Sequence, residues 1–205
     1  MVETLRPSVE YGFEGIDGGG KSTNIKRLKE YYTGKGCRVV VLSGLSNTEF
    51  GLEIRRNISR YNAMGVKGMW YFKEDIRRSY QTLDGNSSAD ILLWDRHVYS
   101  IFAANQAPDC TMETIRLVQP TIFEPPRVFL LDVPPDLAWT REQLALKGDH
   151  SITPQWLMEK HAKYLALAAL EPERFRIIDA SRPLDEVFAE LFNIIDQDIE
   201  RRKIV

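Results

Sequence analysis

The sequence has little of what marks a secreted, membrane-bound or nucleic-acid-binding protein. Two cysteines, Cys37 and Cys110, occur in 205 residues at no metal-ligand spacing, so we expect free thiols in a reducing cytoplasm. No apolar run reaches the length of a membrane span, and the first residues lack the basic-then-apolar order of a signal peptide. The formal net charge of -2 gives no overall field that attracts nucleic acid or an anionic membrane. We therefore expect neither of these as a partner.

The chain also lacks internal repeats and low-complexity linkers, and its composition is ordinary for a globular protein. It has 205 residues, of which 43% are hydrophobic and 27% charged, and this is enough for one domain with a sizeable core. We therefore expect a single domain over residues 1–205.

Five apolar segments of strand length alternate with stretches of helical periodicity. The strand-like segments are VEYGFEGI, RVVVLS, DILLWD, RVFLLDV and FRIIDA. The intervening stretches predict helices, including one from Lys21 to about Tyr32, one from about Gly51 to Tyr61 and one from about Val66 to Leu83. Buried strands that alternate with helices predict a parallel α/β sheet covered on both faces. In such a sheet, ligands bind beyond the carboxyl ends of the strands.

The most specific motif is a glycine-rich loop between the first predicted strand and the first predicted helix. It reads G-x-x-x-x-G-K-S from Gly15 to Ser22, the phosphate-binding pattern called a P-loop. Glycines allow a tight turn whose backbone N–H groups surround phosphate oxygens, while Lys21 supplies a mobile charge and Ser22 a hydroxyl for Mg²⁺. The alternative is a glycine-rich turn with an incidental lysine. The residues predicted to bind the nucleotide are Gly15, Asp17, Gly18, Gly19, Gly20, Lys21, Ser22 and Thr23.

A P-loop alone does not separate motors, switches and kinases, but the guanine-reading motifs N-K-x-D and T-K-x-D are missing. Four landmarks occur in order: FEGIDGGGKST, DRHVYSIFAANQ, VFLLDVPPDLAWTRE and IIDASRPLDEV. On these landmarks the sequence resembles the thymidylate kinase family of nucleoside monophosphate kinases along nearly its full length. The resemblance implies a three-layer P-loop fold: a parallel five-stranded sheet in the order 2-3-1-4-5, helices on both faces and a short lid at about 142–153. It also implies ATP, Mg²⁺ and a homodimer.

The pair Asp95 and Arg96 follows the third predicted strand, at the edge where ligands are expected. Asp95 can hold a Mg²⁺-bound water or orient Lys21, so Ser22 and Asp95 are the predicted metal residues. Arg96 can clamp phosphoryl oxygens with two parallel hydrogen bonds. A structural ion pair at a strand end is the alternative. The resemblance gives Asp17 a hydrogen bond from an acceptor sugar hydroxyl, although aspartate is also common in turns.

Phosphoryl transfer needs cations around the γ-phosphate, which the resemblance places in the P-loop or the lid. Gly18 and Gly19 exclude an arginine from the loop. In the lid segment TREQLALKGDHSIT, Arg141 matches a family arginine, and Lys147 is either a substitute cation or a solvated surface residue. The predicted catalytic residues are Lys21, Asp95, Arg96, Arg141 and Lys147.

The acceptor side departs from the family. The stretch LSGLSNTEFGLEIRR replaces the family's arginine-bearing R-E-P-G-G-T, so that no cation occurs between Val39 and Glu53. The family's F-x-x-x-R helix aligns at Phe72, which puts an isoleucine at the arginine position and Arg77 one residue later. The alternative is that Phe72 and its aromatic neighbours are core residues. The residues predicted to bind the acceptor are Asp17, Thr48, Arg55, Phe72, Arg77, Arg96, Ser100 and Asn105.

Three functions remain open from the sequence. The first is Mg²⁺-dependent transfer of the ATP γ-phosphate to a nucleoside monophosphate, with dTMP as the best guess. The second keeps ATP and the fold but takes a nucleoside or a non-nucleotide small molecule as the acceptor. The third is a nucleotide-binding regulator with little turnover.

Overall fold

The structure is a computed structural model that describes residues 9–83, 89–105, 107–118, 124–144 and 152–203. Five strands form one sheet: β1 (Val9–Glu14), β2 (Val39–Ser43), β3 (Ile91–Asp95), β4 (Arg127–Asp132) and β5 (Phe175–Asp179). The strand order is β2-β3-β1-β4-β5, and every neighbouring pair is parallel. The predicted fold class and strand order are therefore confirmed.

Helices connect the strands and cover the sheet. They are α1 (Lys21–Gly34), α2 (Glu49–Arg56), α3 (Ile58–Ala63), α4 (Val66–Gln81), α5 (Val98–Ala104), α6 (Met112–Val118), α7 (Pro135–Leu144), α8 (Pro154–Leu170) and α9 (Leu184–Lys203). The helix predicted over 51–61 is divided in two, since Asn57 adopts φ -120° and ψ 28° between α2 and α3. The Asn57 amide side chain donates to the carbonyl oxygen of Glu53 at 3.2 Å. Such competition for backbone groups is why asparagine favours helix ends.

The core lies around the three central strands, whose side chains are buried on both faces. Phe13 of β1 and Phe129 of β4 are fully buried, with ring centroids 5.2 Å apart. Cys37 and Cys110 are free thiols, as predicted. None of the helices that the structure describes combines the length and the apolar content needed to cross a membrane.

The register of the strands brings their following loops together. Asp95 at the end of β3 pairs with Phe13 of β1 and with Ser43 of β2. Beyond this point the Arg96 backbone N–H donates to the Phe13 carbonyl oxygen at 3.0 Å, and the Gly44 N–H donates to that of Asp95 at 3.1 Å. The P-loop and the loops after β2 and β3 therefore leave the sheet at one level.

Candidate active site

A cavity of about 870 Å³ opens at the carboxyl edge of the sheet. Its lining includes residues 17–20 after β1, residues 43–45 after β2, residues 95–97 after β3 and Ala180 after β5. Parallel α/β sheets bind their ligands at this edge. The loops that the sequence singled out therefore share one cavity.

Two positions of the P-loop have no room for a side chain, because backbone atoms of β4 and α7 lie against them. Gly15 has φ 131° and Gly18 has φ 80°, a left-handed region that side chains rarely adopt. A Cβ atom at Gly15 would lie 2.6 Å from the Leu131 carbonyl oxygen, and one at Gly18 would lie 2.5 Å from that of Ala138. These neighbours are backbone of β4 and α7 and do not yield easily. Both positions therefore require glycine, and residues 18–20 of the loop line the cavity.

Lys21, the first residue of α1, folds back over this loop. Its Nζ donates to the carbonyl oxygens of Gly15 at 3.0 Å and Ile16 at 2.7 Å. Burial lowers the pKa of Lys21 to about 8; the neighbouring Arg96 lowers it as well, while the Asp17 carboxylate raises it. Because burial is the main cause, a phosphate beside the loop would favour the charged ammonium.

Ser22 and Asp95 form an oxygen pair at the mouth of the loop. The Ser22 hydroxyl donates to Oδ2 of Asp95 at 2.7 Å. Hydroxyl and carboxylate oxygens are ligands that Mg²⁺ accepts, and Mg²⁺ commonly combines one or two such protein ligands with water and substrate phosphates. Within the described ranges no cluster of three or more His, Cys, Asp or Glu side chains could hold a metal ion by itself. The pair fits Mg²⁺ that arrives with a nucleotide.

Arg96 is the one non-glycine residue of the described chain with positive φ, at 69°. This backbone conformation costs about 1 to 3 kcal/mol, and it persists only where contacts with the surrounding structure offset that cost. Here its Nη1 donates to the Gly15 carbonyl oxygen at 3.0 Å and its Nη2 to Oδ1 of Asp17 at 2.5 Å. Burial lowers the pKa of Arg96, but the charges of Asp17, Tyr164, Glu14 and Asp95 together outweigh it, so that the pKa lies above its usual range. The guanidinium is thereby fixed over the P-loop.

Asp17 also contacts a cation that the sequence analysis did not assign. Nζ of Lys160, in α8, donates to Oδ2 of Asp17 at 3.1 Å. Burial raises the pKa of Asp17, but the charges of Arg96, Lys160 and Lys21 outweigh it and hold the pKa far below its usual range. Burial and the charge of Arg96 lower the pKa of Lys160 to about 7. Three cations thus surround one carboxylate.

A buried carboxylate, that of Glu14, holds the elements on either side of Arg96 together. Glu14, the last residue of β1, is 0% exposed. It accepts hydrogen bonds from the His97 backbone N–H at 2.7 Å, the Ser100 hydroxyl at 2.5 Å and the Tyr164 hydroxyl at 2.8 Å. Burial raises the pKa of Glu14, although these donors and Arg96 oppose the shift. Glu14 thereby ties β1 to the start of α5 and to α8, on either side of Arg96.

At the β5 end of the cavity, Arg141 of α7 lies against the backbone. Its Nη1 donates to the carbonyl oxygens of Ala180 at 2.8 Å and Gly18 at 3.4 Å. The cavity is lined here by Arg182, Leu184 and Val187 as well. Most of the lid predicted at 142–153, with Lys147, lies outside the described residues.

The opposite end of the cavity carries apolar and neutral polar side chains, with one cation among its described residues. Its lining includes Leu45, Arg55, Ile58, Phe72, Ile101 and Ala104. Nη2 of Arg55 donates to the Leu45 carbonyl oxygen at 2.6 Å. The isoleucine that aligns with the family's arginine, Ile76, is fully buried. Base recognition by a charged side chain from that position is therefore absent.

Three predicted acceptor residues are not among the described residues that line the cavity. Thr48 caps α2 by accepting from the Gly51 backbone N–H at 3.1 Å. Arg77 donates to both carboxylate oxygens of Glu74, at 2.7 and 2.6 Å. Oδ1 of Asn105 accepts from a backbone N–H just past the end of α5. Their roles in binding stay predictions, whereas the remaining described site residues, apart from Gly15, line the cavity.

The position of Lys160 is visible in the sequence as a helical pattern, although it belongs to no motif. In α8 the buried positions include Leu157, Lys160, Tyr164 and Leu167, spaced three or four apart along one helix face. A lysine in the middle of an apolar stripe needs a buried partner. That partner lies in the P-loop.

The five-stranded parallel sheet, with a P-loop and an Asp-Arg pair at its carboxyl edge, defines the class of P-loop kinases. A family model described as thymidylate kinase matches residues 13–191. The chain is 29% identical over 195 residues to the thymidylate kinase of Bifidobacterium longum strain DJO10A, a match that covers 87% of this chain and 93% of that protein. It is 27% identical over 191 residues to a probable thymidylate kinase of Archaeoglobus fulgidus, covering 93% and 96% respectively.

A third relative is the thymidylate kinase of Burkholderia cenocepacia, 28% identical over 196 residues, with coverage of 89% of this chain and 95% of the relative. Because the family model spans most of the chain, the protein belongs to the thymidylate kinase family. This confirms the resemblance and the predicted class of activity, that of an ATP-dependent kinase. The family implies dTMP as the acceptor.

Proposed function

We propose that this protein transfers the γ-phosphoryl group of ATP to dTMP in the presence of Mg²⁺. The observation that carries the proposal is the convergence of the P-loop, Lys21 and Arg96 on one cavity. The cavity extends past them in two directions, toward β5 and toward α2 and α4. One end can therefore take the donor base while the other takes the acceptor.

On the donor side, the P-loop N–H groups and the positive end of α1 bind the ATP phosphates. Lys21 exchanges the carbonyl oxygens of Gly15 and Ile16 for the β- and γ-phosphate oxygens. Ser22 and Asp95 would hold Mg²⁺, which supplies charge neutralisation across these phosphates. Arg141 and the residues after β5 line the space for the adenine.

On the acceptor side, a phosphate oxygen of dianionic dTMP forms a bond to the γ-phosphorus. The bond from that phosphorus to the β–γ bridging oxygen breaks, and its electron pair leaves on ADP. Arg96 binds oxygens of both the acceptor phosphate and the moving group with its planar fork. Arg55 is the cation for the acceptor phosphate, Phe72 lies against the base, and Asp17 accepts from the sugar hydroxyl.

We further propose a single domain over 1–205, with a lid at residues 142–153 and Lys147 as a catalytic residue. We also propose a cytoplasmic homodimer. Exposed apolar side chains support a pairing surface: Trp70 of α4 and Leu117 of α6 are 43% and 72% exposed. Light scattering of purified protein measures the stoichiometry, and a monomeric mass at micromolar concentration would contradict the dimer.

A different acceptor on the same fold is favoured by one observation. No cation occurs between Val39 and Glu53, and Arg55 is hydrogen-bonded to the Leu45 carbonyl oxygen. A phosphate site with a single exposed arginine is weaker than one with two, by roughly 1.5 to 3 kcal/mol per charge-assisted hydrogen bond. A nucleoside or a non-nucleotide alcohol needs less positive charge there.

The experiment that tests the proposed function is a panel of acceptors. ADP release from ATP and Mg²⁺ is measured with dTMP, other nucleoside monophosphates, thymidine and no acceptor. We expect the highest kcat/KM with dTMP. A higher value with an unphosphorylated acceptor would favour the alternative, and tight ATP binding without acceptor-dependent ADP release would indicate a regulator.

A further inference from the structure

Lys160 reaches the P-loop from a distant part of the chain and lies in the middle of the cavity. It is 5% exposed, and its ammonium is 3.1 Å from Oδ2 of Asp17. On its other side, the Trp156 ring centroid is 4.2 Å from Nζ. The ammonium therefore lies between the Trp156 ring and the P-loop. Burying this charge costs more free energy than leaving it on a solvated helix face.

Lys160 shares its carboxylate partner with another cation. Arg96 and Lys21 act on it as like charges and Asp17 as the opposite one. Asp17 is already bound by Arg96 at 2.5 Å. A buried cation that shares its carboxylate with a second cation gains a further partner when an anion enters, and a phosphoryl group is the anion that a P-loop cavity receives.

Of the six described lysines and arginines that line the cavity, five have an assigned place. The described lysines and arginines that line the cavity are Lys21, Arg55, Arg96, Arg141, Lys160 and Arg182. Arg55 lies at the acceptor end. Arg141 donates to the Ala180 carbonyl oxygen, and Arg182 to that of Asp179, so both lie at the β5 end. Lys160 remains without an assigned role, and Arg96 and Lys21 are close enough to act on its charge.

We propose that Lys160 is a further catalytic residue, whose ammonium leaves Asp17 and binds the phosphoryl group during its transfer. The exchange also frees one oxygen of Asp17 to accept from the acceptor's sugar hydroxyl. Lys160 forms no covalent bond: the phosphoryl group passes from ADP to the acceptor oxygen as described above. The inference rests on the proposed function for the identity of the acceptor, but not for the position of the charge.

The test compares Lys160→Met, which keeps the length of the side chain, with Lys160→Arg, which keeps its charge. Removal of one preorganised donor to a reacting group lowers kcat about 100-fold or more, and we expect this for Lys160→Met with KM values little changed. Lys160→Arg should retain kcat to within about tenfold. Lys26→Met is the matched control, because Lys26 lies on the exposed face of α1, and it should match the wild type.

A binding measurement separates catalysis from structure. Aluminium fluoride with ADP and Mg²⁺ imitates the moving phosphoryl group, and calorimetry measures the affinity of this complex against that of ADP and Mg²⁺ alone. We expect Lys160→Met to weaken the fluoride complex at least tenfold while ADP affinity is retained. Its melting temperature should stay close to that of the wild type, because Asp17 keeps its ion pair with Arg96 when the Lys160 ammonium is removed.

Three results would overturn the proposal: an unchanged kcat in Lys160→Met, an equal loss of affinity for ADP and for the fluoride complex, or a lower melting temperature together with lost activity. If wild-type protein does not phosphorylate dTMP, the proposed acceptor is wrong. The fluoride titration needs no acceptor and still decides the role of Lys160.

Discussion

Arg96 and Asp17 meet across the carboxyl edge of the sheet, with Nη2 of the arginine 2.5 Å from Oδ1 of the aspartate. One residue follows β3 and the other belongs to the loop after β1. Their contact keeps the guanidinium above the P-loop before any nucleotide binds. A preorganised cation of this kind costs no rearrangement during the reaction.

Arg96→Lys should lower kcat by about 100-fold or more, because a single ammonium cannot bind two phosphoryl oxygens in a fixed plane. The same change lengthens the distance to Asp17 and removes the hydrogen bond to Gly15. Steady-state kinetics with ATP and dTMP measure the effect. The exposed Arg60→Lys in α3 is the control. Equal kcat in Arg96→Lys and wild type would make Arg96 a structural residue.

Gly18→Ala should abolish nucleotide binding, since its Cβ atom would lie 2.5 Å from the Ala138 carbonyl oxygen at φ 80°. The matched control is Gly34→Ala at the end of α1, where a Cβ atom meets nothing within 4 Å. Alanine there should be neutral or stabilising by about 0.5 to 1 kcal/mol. Calorimetric titration of ATP and Mg²⁺ compares the two variants. If Gly18→Ala bound ATP like the wild type, the close packing of the loop would not matter for function.

Glu14→Gln should destabilise the protein. Glutamate accepts from several donors at once, whereas glutamine turns an N–H₂ group toward some of them and leaves those donors unsatisfied, at about 1 to 3 kcal/mol. We expect the melting temperature to fall by roughly 2 to 10 °C and kcat to fall with it, as the loop that carries Arg96 loosens. Glu30→Gln, on the exposed face of α1, should change neither. A Glu14→Gln variant as stable and active as wild type would contradict this role.

The activity and the stability of the protein should respond to pH in opposite directions. The pKa of Lys160 is lowered from 10.5 to about 7 by burial and by Arg96 and Lys21, against Asp17. As pH rises above about 7, the free enzyme loses this charge, and kcat/KM should fall. Between about 7 and 10.5 the unfolded chain binds the proton that the folded chain lacks, so the free energy of unfolding should rise.

Rate profiles and melting curves of wild type and Lys160→Arg measure both effects. Arginine stays charged over this range, so the fall in kcat/KM that Lys160 causes should disappear in the variant. A profile that is identical in the two proteins would show that Lys160 does not titrate in this range.

The sequence predicted the parts of the site that are local in the chain. The P-loop from Gly15 to Ser22 and the Asp95-Arg96 pair are each contiguous, and each follows a strand, so that motif and periodicity suffice to place them at one edge. The strand order came from the family resemblance, because periodicity does not say which strands are neighbours.

The remaining features depend on tertiary contacts. Lys160 meets Asp17 across 143 residues of sequence, which no local motif encodes. Arg77 lies one residue past the family's arginine position, and one residue turns a helical side chain by about 100°. In the structure it pairs with Glu74, and its role in acceptor binding stays a prediction. The Asn57 side chain ends α2 with a hydrogen bond to the Glu53 carbonyl oxygen, which interrupts a stretch of otherwise helical sequence.

The most direct test of the account follows the γ-phosphate itself. Wild-type protein and Lys21→Ala are incubated with Mg²⁺, dTMP and ATP labelled in the γ-phosphate, and the products are separated by chromatography. The account predicts that the label appears in dTDP with wild-type protein and that Lys21→Ala, although folded, yields almost none. Label that stays in ATP or appears only as inorganic phosphate with the wild type, or equal dTDP formation by the variant, would contradict it.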